Sequence, residues 1–324
     1  MNPFRSLGAD RVLALTEREL GRRADAVCHP LTSYINRVFD VPMADGDAVV
    51  VKFFRPGRWS LAALEEEQDF VFELEANDVP VVAPLCNAEG YSLFEDRGLW
   101  FSIMPRKRGR PFEDPDPATW DELGRTLARM HSVGDDHIPG DRLVWSPETA
   151  TLTHLDFILE HSAKAPAGLM DDYAALVEEM VETLTPLFAN RDYTRIHGDM
   201  HVANLMKRPD EDGIFLIDFD DMVYGPPVQD LWMLLPDTVP HSRFELEHLL
   251  HGYRQIRDFP EQDLDLVEPL RAMRFVHFTA WCALQQSDGG PNRLSAHYGT
   301  EAWWRSELSS LQDQRAHIRE TLRI

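Results

Sequence analysis

Residues 195–230 read RIHGDMHVANLMKRPDEDGIFLIDFDDMVYGPPVQD, and this stretch decides the fold. Asp199 is followed five residues later by Asn204, a D-x-x-x-x-N spacing in which the Asp handles a substrate hydroxyl and the Asn holds Mg²⁺. Asp218, fourteen residues beyond Asn204, closes the apolar run 214–217. Residues 204–206 and 214–219 have strand character, and Pro209 to Gly213 between them is turn chemistry. A hairpin therefore brings Asn204 and Asp218 side by side as two oxygen ligands. That donor set suits Mg²⁺, which takes one or two protein groups and completes its shell with water and phosphate oxygens. Asp199 lies at the edge of the same site.

Working outward, the 324 residues, 44% of them hydrophobic, suffice for a large core and about two domains. Cys28, Cys86 and Cys282 are odd in number and widely spaced, so neither a disulfide framework nor a zinc spacing is expected. A reducing, cytoplasmic setting fits this, as does the lack of a signal-peptide core and of any membrane-length apolar run. A net charge of −23 argues against a nucleic-acid partner, which needs a basic footprint, and makes a cationic substrate electrostatically easier. Residues 110–190 hold sixteen Asp/Glu against five Lys/Arg, whereas residues 105–110 hold four basic residues in six.

Upstream, a helix is expected over 11–20, followed by strand, turn and strand over 30–41 and 48–54. Lys52 interrupts the β-branched run Val49–Val51, where a charge needs a chemical reason. In a kinase such a lysine pairs with the ATP phosphates and with a glutamate of the next helix. That helix is expected over 61–76; Glu67, one turn before Phe70 and Val71 on the inward side, is the partner of choice and Glu66 the runner-up. A hairpin over 91–104 follows. The Pro- and charge-rich run from Pro105 is the best domain boundary, giving a nucleotide-binding N-lobe (1–104), a hinge and linker (105–117) and a helical C-lobe (118–324). Helices are expected over 120–131, 173–188, 244–256, 264–285 and 301–322. Asp230 reads as a buried acceptor for catalytic-loop N–H groups and His197 as a loop-fixing residue. Asp220 and Asp221 read as a solvated turn ahead of a site for a second metal ion, Arg271 and Arg274 as surface pairs ahead of a reach to acidic groups near the site, and the scattered histidines as surface or capping residues.

The segments LTSYINRV (31–38), VVKFFRP (50–56), HGDMHVANL (197–205), IDFDD (217–221), GPPVQDLWMLL (225–235) and EPLRAMR (268–274) together resemble the bacterial stress response kinase A family. That family belongs to the aminoglycoside phosphotransferase and choline kinase branch of the protein-kinase-like superfamily. The resemblance covers nearly the whole chain. It implies an α+β, bilobal protein-kinase-like fold with a strand-rich N-lobe and helical C-lobe, and an ATP- and Mg²⁺-dependent Ser/Thr protein kinase of the stress response. It further implies Asp199 as catalytic base, Asn204 and Asp218 as metal ligands (Asp218 counting also as catalytic), Lys52 on phosphate and Ser33 in the loop over ATP. Met104 lies where the hinge meets the nucleotide. A monomer is expected, with ATP and a protein hydroxyl as partners, no nucleic acid and no membrane.

The alternatives are a small-molecule kinase acting on an aminoglycoside- or choline-like cationic alcohol, which the acidic 110–190 segment suits, and a nucleotide-binding pseudokinase. The presence of Lys52, Asp199, Asn204 and Asp218 together counts against the last. Only twelve residues separate Asp218 from Asp230, too few for an activation segment with its own phosphosite, so constitutive competence is expected.

Overall fold

The computed structural model describes residues 4, 7–33, 35–112, 115–162, 166–207, 213–287 and 297–323. The turn expected at Pro209 to Gly213 falls outside these, apart from Gly213, as does Tyr34 next to Ser33. Helix α1 (Ala9–Leu20) precedes strands β1 (His29–Leu31), β2 (Arg37–Pro42) and β3 (Ala48–Phe53), helix α2 (Leu61–Ala76) and strands β4 (Leu93–Asp96) and β5 (Leu99–Pro105). The strands form one antiparallel sheet in the order β1-β2-β3-β5-β4. The β4–β5 hairpin turns through Arg97 and Gly98, both at positive φ, which matches the twist of the paired strands.

Strand periodicity explains what this sheet presents to the rest of the molecule. Val49, Val51 and Phe53 point into a core closed by Val12 and Leu15 of α1, with Phe53 stacked on Phe101 at 5.0 Å. Each such fully buried side chain contributes about 1.5–3 kcal/mol over exposure. Lys52, alternating with them, emerges on the opposite face across from Ser102.

After the short β6 (Arg110–Pro111), the chain is mostly helical: α3 (Pro117–Gly134), α4 (Leu152–His161) and α5 (Ala167–Phe188). Strands β7 (Thr194–Ile196), β8 (Leu205–Lys207), β9 (Ile214–Leu216) and β10 (Val223–Gly225) then carry the stretch quoted above. Helices α6 (Val228–Trp232), α7 (Arg243–Tyr253), α8 (Val267–Ser287) and α9 (Glu301–Leu322) complete the fold. Helix α3 starts where Asp116 accepts the Thr119 N–H and Pro117 presets the first turn. Helices α4, α5, α8 and α9 pack around Tyr173, Val177, Val276 and Trp304. The strand-rich N-lobe and helical C-lobe match the fold class expected from sequence.

One helix of the N-lobe belongs to the core of the C-lobe. Phe70, Val71 and Leu74 of α2 cluster with Leu216, Phe219 and Met200 of the C-lobe rather than with the N-lobe sheet, and Phe70 meets Phe219 edge-on at 6.0 Å. The segment after β5 does not hang free either, because Arg110 pairs with Lys207 and so adds β6 to the β8–β9 sheet. Among the described residues, no helix is long and apolar enough to cross a membrane.

Candidate active site

The hairpin expected around Asn204 and Asp218 forms, with Leu205 opposite Leu216 and Ile217 N–H donating to Asn204 O at 3.1 Å. Asn204 itself lies in a short helical turn (Val202–Asn204) just before β8. Its Nδ2 donates to Asp199 O at 2.8 Å, so the carbonyl end of the side chain is the end left for a cation. Asp218 is held in the left-handed region (φ 64°), a conformation Asp tolerates better than most residues, and its side chain is 55% exposed. Lys52 Nζ reaches Asp218 Oδ1 at 2.8 Å and Asp220 Oδ1 at 3.3 Å. The Lys52 charge, with the hydrogen bond that Lys52 donates, holds the Asp218 carboxyl below its ordinary value.

Asp230 is fully buried and fixes the loop that carries Asp199. Its Oδ2 accepts from His197 N–H at 2.8 Å and its Oδ1 from Gly198 N–H at 2.9 Å. His131, also fully buried, faces Asp230 Oδ2 through Nε2 at 3.1 Å and Tyr253 Oη through Nδ1 at 2.9 Å. Burial holds the His131 imidazole below its ordinary pKa, so Nε2–H donates to Asp230 while Nδ1 accepts from Tyr253. His197 Nδ1 accepts from Asp199 N–H at 3.3 Å, which leaves Nε2 to donate to Ile217 O at 2.9 Å. Gly198, at φ +81°, has no alternative, since a Cβ there would lie 2.2 Å from Asp221 O.

Asp199 is 18% exposed and meets Arg274 Nη2 at 2.5 Å through Oδ1 and His201 Nε2 at 3.4 Å through Oδ2. Burial pushes the Asp199 carboxyl up, but the His201 hydrogen bond and the Arg274 charge outweigh it and leave the group below its ordinary value. The same hydrogen bond, followed by burial in the opposite sense, leaves His201 above its ordinary value.

The remaining candidates have definite places. Glu67 Oε1 lies 3.9 Å from Lys52 Nζ, while its Oε2 accepts from Arg142 Nη2 at 2.7 Å. Glu66 faces the other way and takes the backbone N–H groups of Gly140, Asp141 and Arg142. Met104 sits on β5 opposite Val50, and the next pairing outward is Arg106 N–H to Ala48 O at 3.0 Å. Ser33 is half-buried in the loop between β1 and β2. A surface cavity of about 320 Å³ lies apart from all of these, between α7 and residues 239–264.

Residues 27–269 match the phosphotransferase enzyme family. The chain belongs to that family. Stress response kinase A of Escherichia coli (strain K12) is 33% identical over 316 residues, 95% of this chain and 93% of the relative. Serine/threonine protein kinase RdoA of Salmonella typhimurium is 31% identical over 306 residues, 93% of this chain and 91% of the relative. Among solved structures, amicoumacin kinase hAmiN in complex with AMP-PNP, Ca²⁺ and Ami superposes with a TM-score of 0.71 at 18% identity, over 96% of this chain and 93% of that one.

Several residues of this phosphotransferase's cleft escape a reading of the sequence. Asp220 is buried rather than solvated, because it takes Arg58 and the amide of Asn36 (3.1 Å) besides its contact with Lys52. Arg58 also pairs with Asp221, and thereby ties the loop after β3 to the end of β9. Arg142 is buried against Glu67, the carbonyls of Ala63 (2.7 Å) and Asp220 (2.7 Å), and the Trp59 ring (4.3 Å). Arg274, expected among surface pairs, faces Asp199. Sequence carries one usable signal, in that Arg55-Pro-Gly-Arg58-Trp59 directly follows the strand of Lys52 and sets two cations near its end.

Proposed function

We propose that this phosphotransferase moves the γ-phosphoryl group of ATP, with Mg²⁺, to the hydroxyl of a protein serine or threonine, in a stress response. One observation carries the reading: Lys52 from β3 and Asp218, two residues past β9, meet at 2.8 Å in a cleft that also receives Asp199 and Asn204. The name of the RdoA relative, aligned over 93% of this chain, supports a protein acceptor, and that of stress response kinase A, aligned over 95%, supports the stress response. In this reading the nucleotide lies between an N-lobe (1–104) and a C-lobe (118–324) joined by residues 105–117, with Met104 at the hinge and Ser33 in the loop above the phosphates.

The donor set fits Mg²⁺. Among the described residues no cluster of three His, Cys, Asp or Glu forms a metal cage, and Asn204 with Asp218 offers the two oxygens this ion takes when phosphate and water complete its shell. Bound there, Mg²⁺ neutralises charge on the phosphate oxygens. Lys52 shifts from Asp218 toward the phosphates, and Glu67 with Arg142 keeps it aimed. The acceptor hydroxyl places its proton on Asp199, its oxygen bonds the γ-phosphorus, and the bond to the bridging oxygen breaks to leave ADP. Positioning and fixed charge do most of this work.

The test is ADP release and phosphoamino-acid formation with Mg-ATP and, separately, a Ser/Thr peptide library, an aminoglycoside and choline. Phosphoserine or phosphothreonine is the expected product. Transfer only to the small alcohols would replace the protein-kinase reading, and ATP binding without transfer to any acceptor would leave a nucleotide-binding module.

A further inference from the structure

The acceptor side of the cleft holds an arrangement that the transfer chemistry does not require. Arg274, on α8, spans two partners: Nη2 lies 2.5 Å from Asp199 Oδ1 and Nη1 lies 2.9 Å from His277 Nδ1. His277 is itself pinned, stacked on His154 at 4.7 Å between ring centroids and edge-on to Trp145 at 5.5 Å. Burial holds His277 well below its ordinary pKa, so Nδ1 keeps the lone pair that receives the guanidinium proton. The guanidinium is aimed by this aromatic cluster, and at 26% exposure it stands at the mouth of the site.

A carboxylate has about four lone-pair sites and Arg274 and His201 take one on each oxygen, so an acceptor hydroxyl bonds Asp199 beside these two groups, and the proton it then places on Asp199 cancels the anion that faces Arg274. His201, at 3.4 Å, is the looser contact, whereas Arg274 sits directly on Oδ1. Once Asp199 carries that proton, Arg274 stays tethered to His277 and partly buried, and a buried charge stripped of its counter-charge is strongly unfavourable. The carboxylates nearby are engaged: Asp221 by Arg58, and Asp218 and Asp220 by Lys52. The incoming acceptor is then the source of a replacement anion.

We infer that Arg274, aimed by His277, selects the acceptor, admitting a hydroxyl with an acidic side chain beside it and turning away one flanked by cations. This rests on the assignment of Asp199 as the group that receives the hydroxyl. It narrows the acceptor to Ser/Thr peptides with Asp or Glu next to the phosphoacceptor, and it disfavours the cationic amino alcohols. The net charge of −23 acts in the opposite sense, drawing basic bodies from a distance. The two are separable because salt screens the long-range field far more than a part-buried contact.

The experiment uses the full chain with Mg-ATP at high salt and three Ser/Thr peptide sets whose flanking positions are Asp/Glu, Ala or Lys/Arg. The expected result is a kcat/KM at least about tenfold higher for the acidic than for the basic set, the effect of exchanging attraction for like-charge repulsion at one contact. Arg274→Gln should bring that ratio close to one, Arg274→Glu should invert it, and Arg274→Lys should preserve its sense and so exclude a folding defect as the cause. The inference is overturned if the wild type favours the basic set at high salt. It is equally overturned if Arg274→Gln leaves the ratio between the acidic and basic sets as it is in the wild type, whatever that variant does to turnover on all sets. Asp199→Asn, run alongside, reports on the underlying reading: transfer retained in that variant refutes the base assignment whatever the flanking preference.

Discussion

The two sides of the cleft are built differently. The phosphate side draws Asn204 and Asp218 from one hairpin and Lys52 from one strand, each placed by local rules of strand alternation and turn closure. The acceptor side is assembled across the C-lobe, where Asp199 meets a side chain 75 residues away and that side chain is aimed by a cluster from α4, α8 and Trp145. Strand alternation and turn closure aim Lys52, Asn204 and Asp218 within their own elements, although Lys52 and Asp218 meet across 166 residues of sequence, whereas Arg274 is aimed by packing between elements. Variation on the acceptor side can therefore change the substrate while phosphoryl transfer stays intact.

The sharpest way to break this contrast is to damage the phosphate side. Asp218→Asn keeps the shape but removes the proposed metal ligand and the counter-charge of Lys52; turnover with Mg-ATP should fall about 10³-fold for every acceptor, as for loss of one transition-state electrostatic contact. A drop confined to some acceptors would merge the two sides. On the acceptor side, Arg274→Gln should move a pH profile instead. Asp199 is faced by His201, Arg274 and Asp221, and its lowered pKa keeps the base ionised, so wild-type kcat/KM should stay level as pH falls from neutrality to about 5. Without Arg274 the Asp199 pKa rises and the acid limb should move toward neutrality; an unmoved limb would deny Arg274 its hold on the base.

A smaller and separate effect concerns stability. His131, His154 (pushed down to about 4) and His277 all titrate below their ordinary value, chiefly through burial. The unfolded chain takes up these protons below pH 6.5 while the native state does not, so stability is retained above that value and lost as pH falls toward the native values. Each histidine contributes up to about 1.4 kcal/mol per pH unit within that window. Urea unfolding at pH 7 and pH 5 should show the loss, and equal midpoints would show the histidines to be solvated. The smallest effect is expected from Tyr224→Phe. Residues 223–225 are held as β10 against β7, and turnover should change less than about twofold if no phosphosite there governs activity. A phosphorylated residue between Met222 and Gln229 that raises turnover would contradict this.

What could be read beforehand divides along the same line. Lys52 was legible because a lysine inside a β-branched run conflicts with local preference, and Asn204 and Asp218 because turn residues lie between two short apolar runs. Helices 61–76 and 301–322 were legible to the residue, and each starts at a side-chain cap, Ser60 accepting the Ala63 N–H and Thr300 the Trp303 N–H. Asp230 showed its role through its place just past the short segment after Asp218, and it does accept the His197 and Gly198 N–H groups. Arg58, Arg142 and Arg274 were not legible. Their partners lie between 75 and 163 residues away, and an arginine in a loop or on a helix reads by default as solvated surface. Asp220 was misread for the same reason: the cations that bury it arrive from the other lobe.

The most direct test of the central claim pairs nucleotide binding with phosphate transfer in Asp199→Asn. The variant should bind Mg-ATP as the wild type does, because Lys52, Asn204 and Asp218 are untouched, and should transfer phosphate to Ser/Thr peptides about 10²–10⁴-fold more slowly, the usual contribution of a positioned general base. Wild-type transfer by this variant would remove Asp199 from the chemistry and with it the division of the cleft into a phosphate side and an acceptor side.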